Sequence, residues 1–275
     1  MFSIYHFFAH LLATRAELPA IPVLDDFPFD LAMLSCRNKG KFPDLAIRIS
    51  PPNPDFTGGE LIELKDSQSY GISSFNSTIP TGKKEIRKVV LNERSGTYRQ
   101  MAAAGDDVDS LPIRDVFYLV RGRKGNNIKV CLIHGSFFET VKVEALLRQA
   151  FSKVIDERIE AGNFEISEET KRAFVELFSE QAGFSKVRDV ENASVKLRFR
   201  VMTEAKAEGN ILNSTKYPEI GGNTLNFLVP IHSVEDEERE RQRMQIVFGE
   251  SISNLTSFPL KHTLNGYFLV FQATL

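Results

Sequence analysis

The chain has 275 residues, 42% hydrophobic and 25% charged, which is enough to bury a large core and ordinary for a soluble globular protein. A formal net charge of −2 excludes a wholesale polyanion binder, so any contact with nucleic acid has to come from local basic patches. Cys36 and Cys131 lie far apart, and the five histidines keep no zinc-like spacing, which points away from a structural zinc site and toward a reduced, cytoplasmic compartment.

Residues 1–12 are apolar but lack a basic leading region and are too short to span a membrane, so a buried N-terminal helix ending before Pro19 is expected. Residues 19–43 are rich in Pro and Asp, then amphipathic at Leu31, Met33 and Leu34. They lead into two stretches of period two. Residues 44–50 place Leu45, Ile47 and Ile49 on one face. Residues 59–67 place Ile62 and Leu64 on one face and Glu63, Lys65 and Ser67 on the other. Residues 51–59 between them are nearly all turn formers. The pattern predicts a β-hairpin with a wide connection, bringing Asp44 near Glu63 with Lys65 two residues further along the same face.

Two carboxylates and an ammonium suit a hard divalent cation such as Mg²⁺, which takes one or two carboxylates and completes its shell with water and phosphate. Asp44 and Glu63 are the expected metal ligands, with the backbone carbonyl of Leu64, and Lys65 is expected to position and activate water. Such equipment suits metal-assisted phosphodiester hydrolysis.

Downstream, Ser73, Ser74, Asn76, Ser77 and Thr78 offer short hydrogen-bonding groups to base edges or phosphates, or form a polar turn closed by Pro80, Thr81 and Gly82. Residues 83–99 carry six basic residues (Lys83, Lys84, Arg87, Lys88, Arg94 and Arg99) and two acidic ones, a local charge of +4. They read as phosphate contacts or as a solvated helix face. Residues 114–120 and 128–133 read as strands joined by a basic loop over 121–127. Residues 139–159 repeat apolar positions at helical spacing, and Ser167 begins another helix that stops at Gly183. Residues 195–201 alternate, with Lys196, Arg198 and Arg200 on one face, as a protected edge or a nucleic-acid groove. Residues 225–229 and 267–271 read as strands around a helix over 235–248, capped by Ser233 with Asp236 three residues later, a surface or dimer element. The expected organisation is a catalytic core over 1–160 and a mixed α/β lobe over 161–275 for DNA recognition or dimerisation, or else one continuous domain.

The order Pro43-Asp44 followed by Glu63-x-Lys65 resembles the PD-(D/E)xK nuclease signature, and residues 66–82 are similar in style to type II restriction endonucleases. The resemblance covers a block of about 40 residues in a chain of 275. It implies a mixed β-sheet flanked by helices and Mg²⁺-dependent cleavage of double-stranded DNA at a short specific sequence, leaving 5′-phosphate and 3′-hydroxyl ends. It also implies a homodimer and a cognate DNA methyltransferase protecting the host. A further acid before the first motif strand is common in that family, and Glu17, Asp26 and Asp30 are the candidates here. A nuclease of another role (repair, junction cleavage or transposition) and a non-catalytic DNA- or protein-binding module remain open readings of the same residues.

Overall fold

The strand-forming stretches of this chain gather because most of their apolar side chains need cover on both faces. A computed structural model describes residues 2–14, 22–38, 41–49, 56–72, 75–76, 80–90, 92–139, 143–179, 202–203 and 205–275. In order these form α1 (Ser3–Thr14), β1 (Leu34–Arg37), β2 (Leu45–Ile47), β3 (Leu61–Ser67), β4 (Phe75–Asn76) and β5 (Lys83–Glu85). The one-turn helix α2 (Ile86–Val89), α3 (Gly96–Ala103), β6 (Ile113–Lys124) and β7 (Asn127–His134) follow. Then come α4 (Val143–Gly162), α5 (Glu168–Ser179), β8 (Met202–Thr203), β9 (Thr224–Ile231), α6 (Val234–Phe248), β10 (Thr256–His262) and β11 (Gly266–Thr274).

The chain divides into two compact units. The first comprises Met1–Ser74, Pro80–Phe138 and Glu204–Leu275, the second Phe75–Ile79 and Glu139–Thr203. The first unit is a mixed α/β structure around a nine-stranded sheet, ordered β1-β2-β3-β6-β7-β9-β11-β10 with β5 alongside β6. Pairings β3–β6 and β7–β9 are parallel and the others antiparallel. In the second unit α4 packs on α5, and β4 pairs antiparallel with β8.

A cut at residue 160 is therefore not where the chain divides. The parallel pairing of Lys129–Ile133 with Thr224–Leu228 puts β9, and through it β10 and β11, into the sheet that holds β3. Residues 224–274 complete the core, and the second unit is made of two insertions into it, Phe75–Ile79 and Glu139–Thr203. Strand patterns announce strands, but pairing across roughly ninety residues is decided by tertiary contact.

Alternation sorts the side chains between the two faces. One face presents Ile62, Phe117, Leu119, Leu132, Phe227 and Leu269 to α1, through Ile4, Tyr5 and Phe8, and to α6, through Met244, Val247 and Phe248. The N-terminal helix is thus buried, as its composition predicts. The other face carries Leu61, Val116, Tyr118, Val120 and Cys131, and with them Glu63 and Lys65. Helix α6 begins where its cap predicts: the Asp236 N–H donates to Ser233 Oγ at 3.2 Å, and the His232 N–H donates to Asp236 Oδ2 at 3.0 Å.

The basic loop expected over 121–127 is mostly strand. β6 runs to Lys124, and Gly125 and Asn126 alone turn the chain, with Gly125 at φ +59°. Gly122 reads as a loop residue but sits inside β6. A Cβ there would lie 2.6 Å from Leu212 and 2.9 Å from Tyr70. The expected stop at Gly183 and the strand over 195–201 lie outside the described residues.

Candidate metal and phosphate site

The wide hairpin forms, and its closing turn depends on two glycines. β2 pairs antiparallel with β3 through Leu45↔Ile62 and Ala46↔Leu61. The chain reaches β3 through Gly58 at φ +67° and Gly59 at φ +84°. A Cβ at Gly58 would lie 2.2 Å from the Arg48 carbonyl oxygen, so only glycine allows so close an approach. The ladder stops at Leu45, and a side chain continues it: the Leu64 N–H donates to Asp44 Oδ2 at 2.9 Å. On the other side of the same residue, the Asn38 N–H donates to the Asp44 carbonyl at 2.8 Å. Asp44, directly after a cis Phe42–Pro43 peptide, is thereby held between β1 and β3.

Across this junction stand the other two residues of the motif. Lys65 Nζ donates to Glu63 Oε1 at 2.7 Å, and Glu63 is only 7% exposed. Glu63 Oε2 is buried with no donor to satisfy it. The Asp44 and Glu63 carboxyls lie within hydrogen-bonding reach of each other, a contact that holds when Glu63 keeps its proton. Burial is the main cause of the rise in Glu63's pKa from 4.5 to about 7; the Lys65 charge opposes it, while the Asp44 charge and the shared proton add to it. Burial also raises Asp44, offset by the Leu64 N–H, the Lys65 charge and the bond from Glu63. Two carboxyls held together at the expense of a retained proton form a site that a divalent cation could take over. Leu64 contributes its N–H to Asp44 and lays its side chain against the core.

No family model, curated protein or solved structure matches this chain. The site therefore rests on its own geometry.

Of the acids considered as a further ligand, Asp26 and Asp30 show no link to the pair, and Glu17 lies outside the described residues. The acid whose charge does reach Asp44, raising its pKa, is Asp25. It sits on a single helical turn (Leu24–Asp26) anchored by the buried side chain of Leu24 and packed beside β3. The turn is tied down by Arg121, which donates to Asp66 Oδ1 and Oδ2 at 3.1 and 2.7 Å and to the Pro22 carbonyl at 3.1 Å. Asp25 and Arg121 are the positions missed by sequence reasoning. A buried Leu preceding paired aspartates is the one signal that could have marked the turn. Among the described residues no three His, Cys, Asp or Glu side chains cluster as a metal site, so the donor set is the Asp44–Glu63 pair with Asp25 acting through its field.

The basic run is not one helix face. Lys83–Glu85 pair with Ile113–Asp115 as β5, and the Ile86 N–H donates to the Pro112 carbonyl before the single turn of α2. Lys83 faces Asp115 at 4.0 Å, Lys88 pairs with Glu85 at 3.1 Å, and Arg87 pairs with Asp109 at 2.5 Å. Such exposed pairs contribute about 1 kcal/mol or less and leave the cations free to exchange partners for phosphate. Lys84 is placed differently. Its ammonium stands 5.1 Å from the centroid of the Phe42 ring, two residues before Asp44. Arg94 and Arg99 are exposed on and beside α3. Ser73, Ser74, Ser77 and Thr78 lie outside the described residues, and Asn76 belongs to β4 in the second unit.

Proposed function

We propose that the chain is a metal-dependent endonuclease of the PD-(D/E)xK type, cutting double-stranded DNA in the manner of type II restriction enzymes. The observation that carries this reading is the convergence, from residues nineteen positions apart, of Asp44 and Glu63 with the Lys65 ammonium 2.7 Å from Glu63 Oε1. A buried carboxyl pair held by a shared proton fits a hard divalent cation, Mg²⁺, with waters completing its shell. Asp44 and Glu63 would hold it, joined by the Leu64 carbonyl. When bound, the cation supplies Lewis-acid polarisation of the phosphoryl group and lowers the pKa of water.

The chain's own groups do the rest. The Leu64 N–H fixes the Asp44 carboxylate in place. Lys65, held against Glu63, would orient an incoming water or phosphoryl oxygen beside the metal ligands and offset charge building on phosphorus. Lys84, and with it Lys83, Arg87 and Lys88, would grip the DNA backbone. A short recognition sequence, a homodimer with one site per strand and a companion methyltransferase belong to the same reading. No helix among the described residues is long and apolar enough to cross a membrane.

The test is incubation of the protein with plasmid and phage DNA, with Mg²⁺ and with EDTA. Discrete fragments appearing only with Mg²⁺ support the reading. Intact DNA across many substrates and divalent metals would overturn it.

A further inference from the structure

Away from the carboxylate pair, the end of β7 assembles a second set of groups with roles in proton transfer. His134, the last residue of β7, is 6% exposed, with its ring in an edge contact with Phe117 and stacked on Phe2. Its Nδ1 lies 2.8 Å from Ser136 Oγ and its Nε2 lies 3.2 Å from Asp115 Oδ1. The direction of these bonds follows from a third. The Ser136 N–H donates to Nδ1 at 3.4 Å, which makes Nδ1 an acceptor and leaves the ring hydrogen on Nε2, toward the Asp115 carboxylate. The Ser136 hydroxyl then donates its proton to Nδ1. Hydroxyl, imidazole and carboxylate stand in the order nucleophile, base and orienter, with the two ring nitrogens exchanged relative to the serine-protease arrangement.

The surroundings hold this line in place. A Cβ at Gly135 would lie 2.0 Å from the Thr81 carbonyl oxygen, and one at Gly82 would lie 3.0 Å from His134 Cε1 and 3.3 Å from Ser136 Cβ. The backbone of residues 81–82 therefore packs directly against the imidazole and the serine. The groups facing Asp115 include the His134 ring, the Lys83 ammonium at 4.0 Å and, through its charge, the buried carboxyl of Glu60 and hydroxyl of Tyr5. Ser136 itself is only half-buried.

We propose that Ser136 is an activated nucleophile that takes an acyl group from small esters, an activity separate from DNA cleavage. Oγ bonds to the ester carbonyl carbon as its proton passes to Nδ1. The carbon–alkoxide bond breaks, and the alkoxide leaves with the proton from Nδ1. Water then repeats the sequence, giving a proton to Nδ1 and its oxygen to the acyl carbon, and Ser136 recovers its proton as the acyl–Oγ bond breaks. No oxidant or cofactor is required. The crowding around Gly82 limits the acyl group to a small one such as acetyl.

The experiment treats the full chain with p-nitrophenyl acetate and, separately, a fluorophosphonate probe, and maps the modified residue by peptide mass spectrometry. One equivalent is expected on Ser136, none in Ser136→Ala, and a rate lower by at least about a hundredfold in Asp115→Asn, whose shape is kept while the imidazole loses its orienting charge. If Asp115→Asn does not fold by circular dichroism, His134→Gln takes its place with the same expected loss. Modification confined to lysines, no modification, or a rate on Ser136 indifferent to these substitutions would each overturn the proposal. The nuclease assay on Ser136→Ala tells the two activities apart, because Asp44 and Glu63 take no part in the acyl transfer.

Discussion

Replacing Glu63 with Gln should leave the metal-free protein unchanged in stability in acid and make it more stable above neutrality. In the folded chain burial holds the Glu63 carboxyl protonated up to about pH 7, whereas in the unfolded chain it ionises near 4.5. Between those two values the folded state binds more protons than the unfolded one, so stability falls as pH rises through the window and levels off above about 7. At about 1.4 kcal/mol for each pH unit, the full loss is about 3 kcal/mol. Gln cannot ionise and keeps the volume, so it removes that loss. Glu60, fully buried with its pKa likewise raised to about 7, remains in both proteins and drops out of the comparison. Chemical unfolding of wild type and Glu63→Gln in EDTA, from pH 4 to pH 8, should show curves that nearly coincide at pH 4 and separate by up to about 3 kcal/mol at pH 8. Excess Mg²⁺ at pH 8 should recover part of that loss in wild type and none in the variant, since ligands that bind only the folded state stabilise it. Parallel curves with no pH-dependent separation would refute the reasoning, because they would mean that Glu63 ionises freely in the folded protein.

Asp44→Ala and Glu63→Ala should each abolish Mg²⁺-dependent cleavage, read on plasmid DNA, while circular dichroism and DNA binding stay near wild type; full activity in either would dismiss the site. Lys65→Ala should lower the cleavage rate by at least about a hundredfold, and Lys65→Arg should not restore it, because a guanidinium does not release its proton. Lys84→Ala should reduce the slope of log affinity against log salt by roughly one, equally on cognate and scrambled duplexes; a loss confined to one sequence would make Lys84 a base reader instead. Asp106→Ala should cost about 3–5 kcal/mol in chemical unfolding, because it strands the fully buried Arg114, which donates to Asp106 at 3.1 and 3.3 Å and to the Val108 carbonyl at 3.2 Å. A change below about 1 kcal/mol would show that water reaches the guanidinium.

The sequence alone determined the elements whose causes are local. The period-two stretches around Leu45 and Ile62, the turn formers between them, and the Ser233 cap were all legible, and the Asp44–Glu63–Lys65 convergence followed because a hairpin joins neighbours in the chain. Tertiary structure decided what depends on partners distant in sequence. Gly122 and Arg121 look like loop residues until Leu212 packs on the one and Asp66 pairs with the other. The run from Lys83 looks helical in charge until Asp115 and its neighbours in β6 draw its first residues into a strand. Asp25 gains its influence on Asp44 only because Leu24 is buried and Arg121 holds the Pro22 carbonyl. The Ser136–His134–Asp115 line likewise needs β6 and β7 side by side. Local pattern specifies a residue's backbone and its face; the company its side chain keeps is set by which strands pair, and that choice is made by burial summed over the whole sheet.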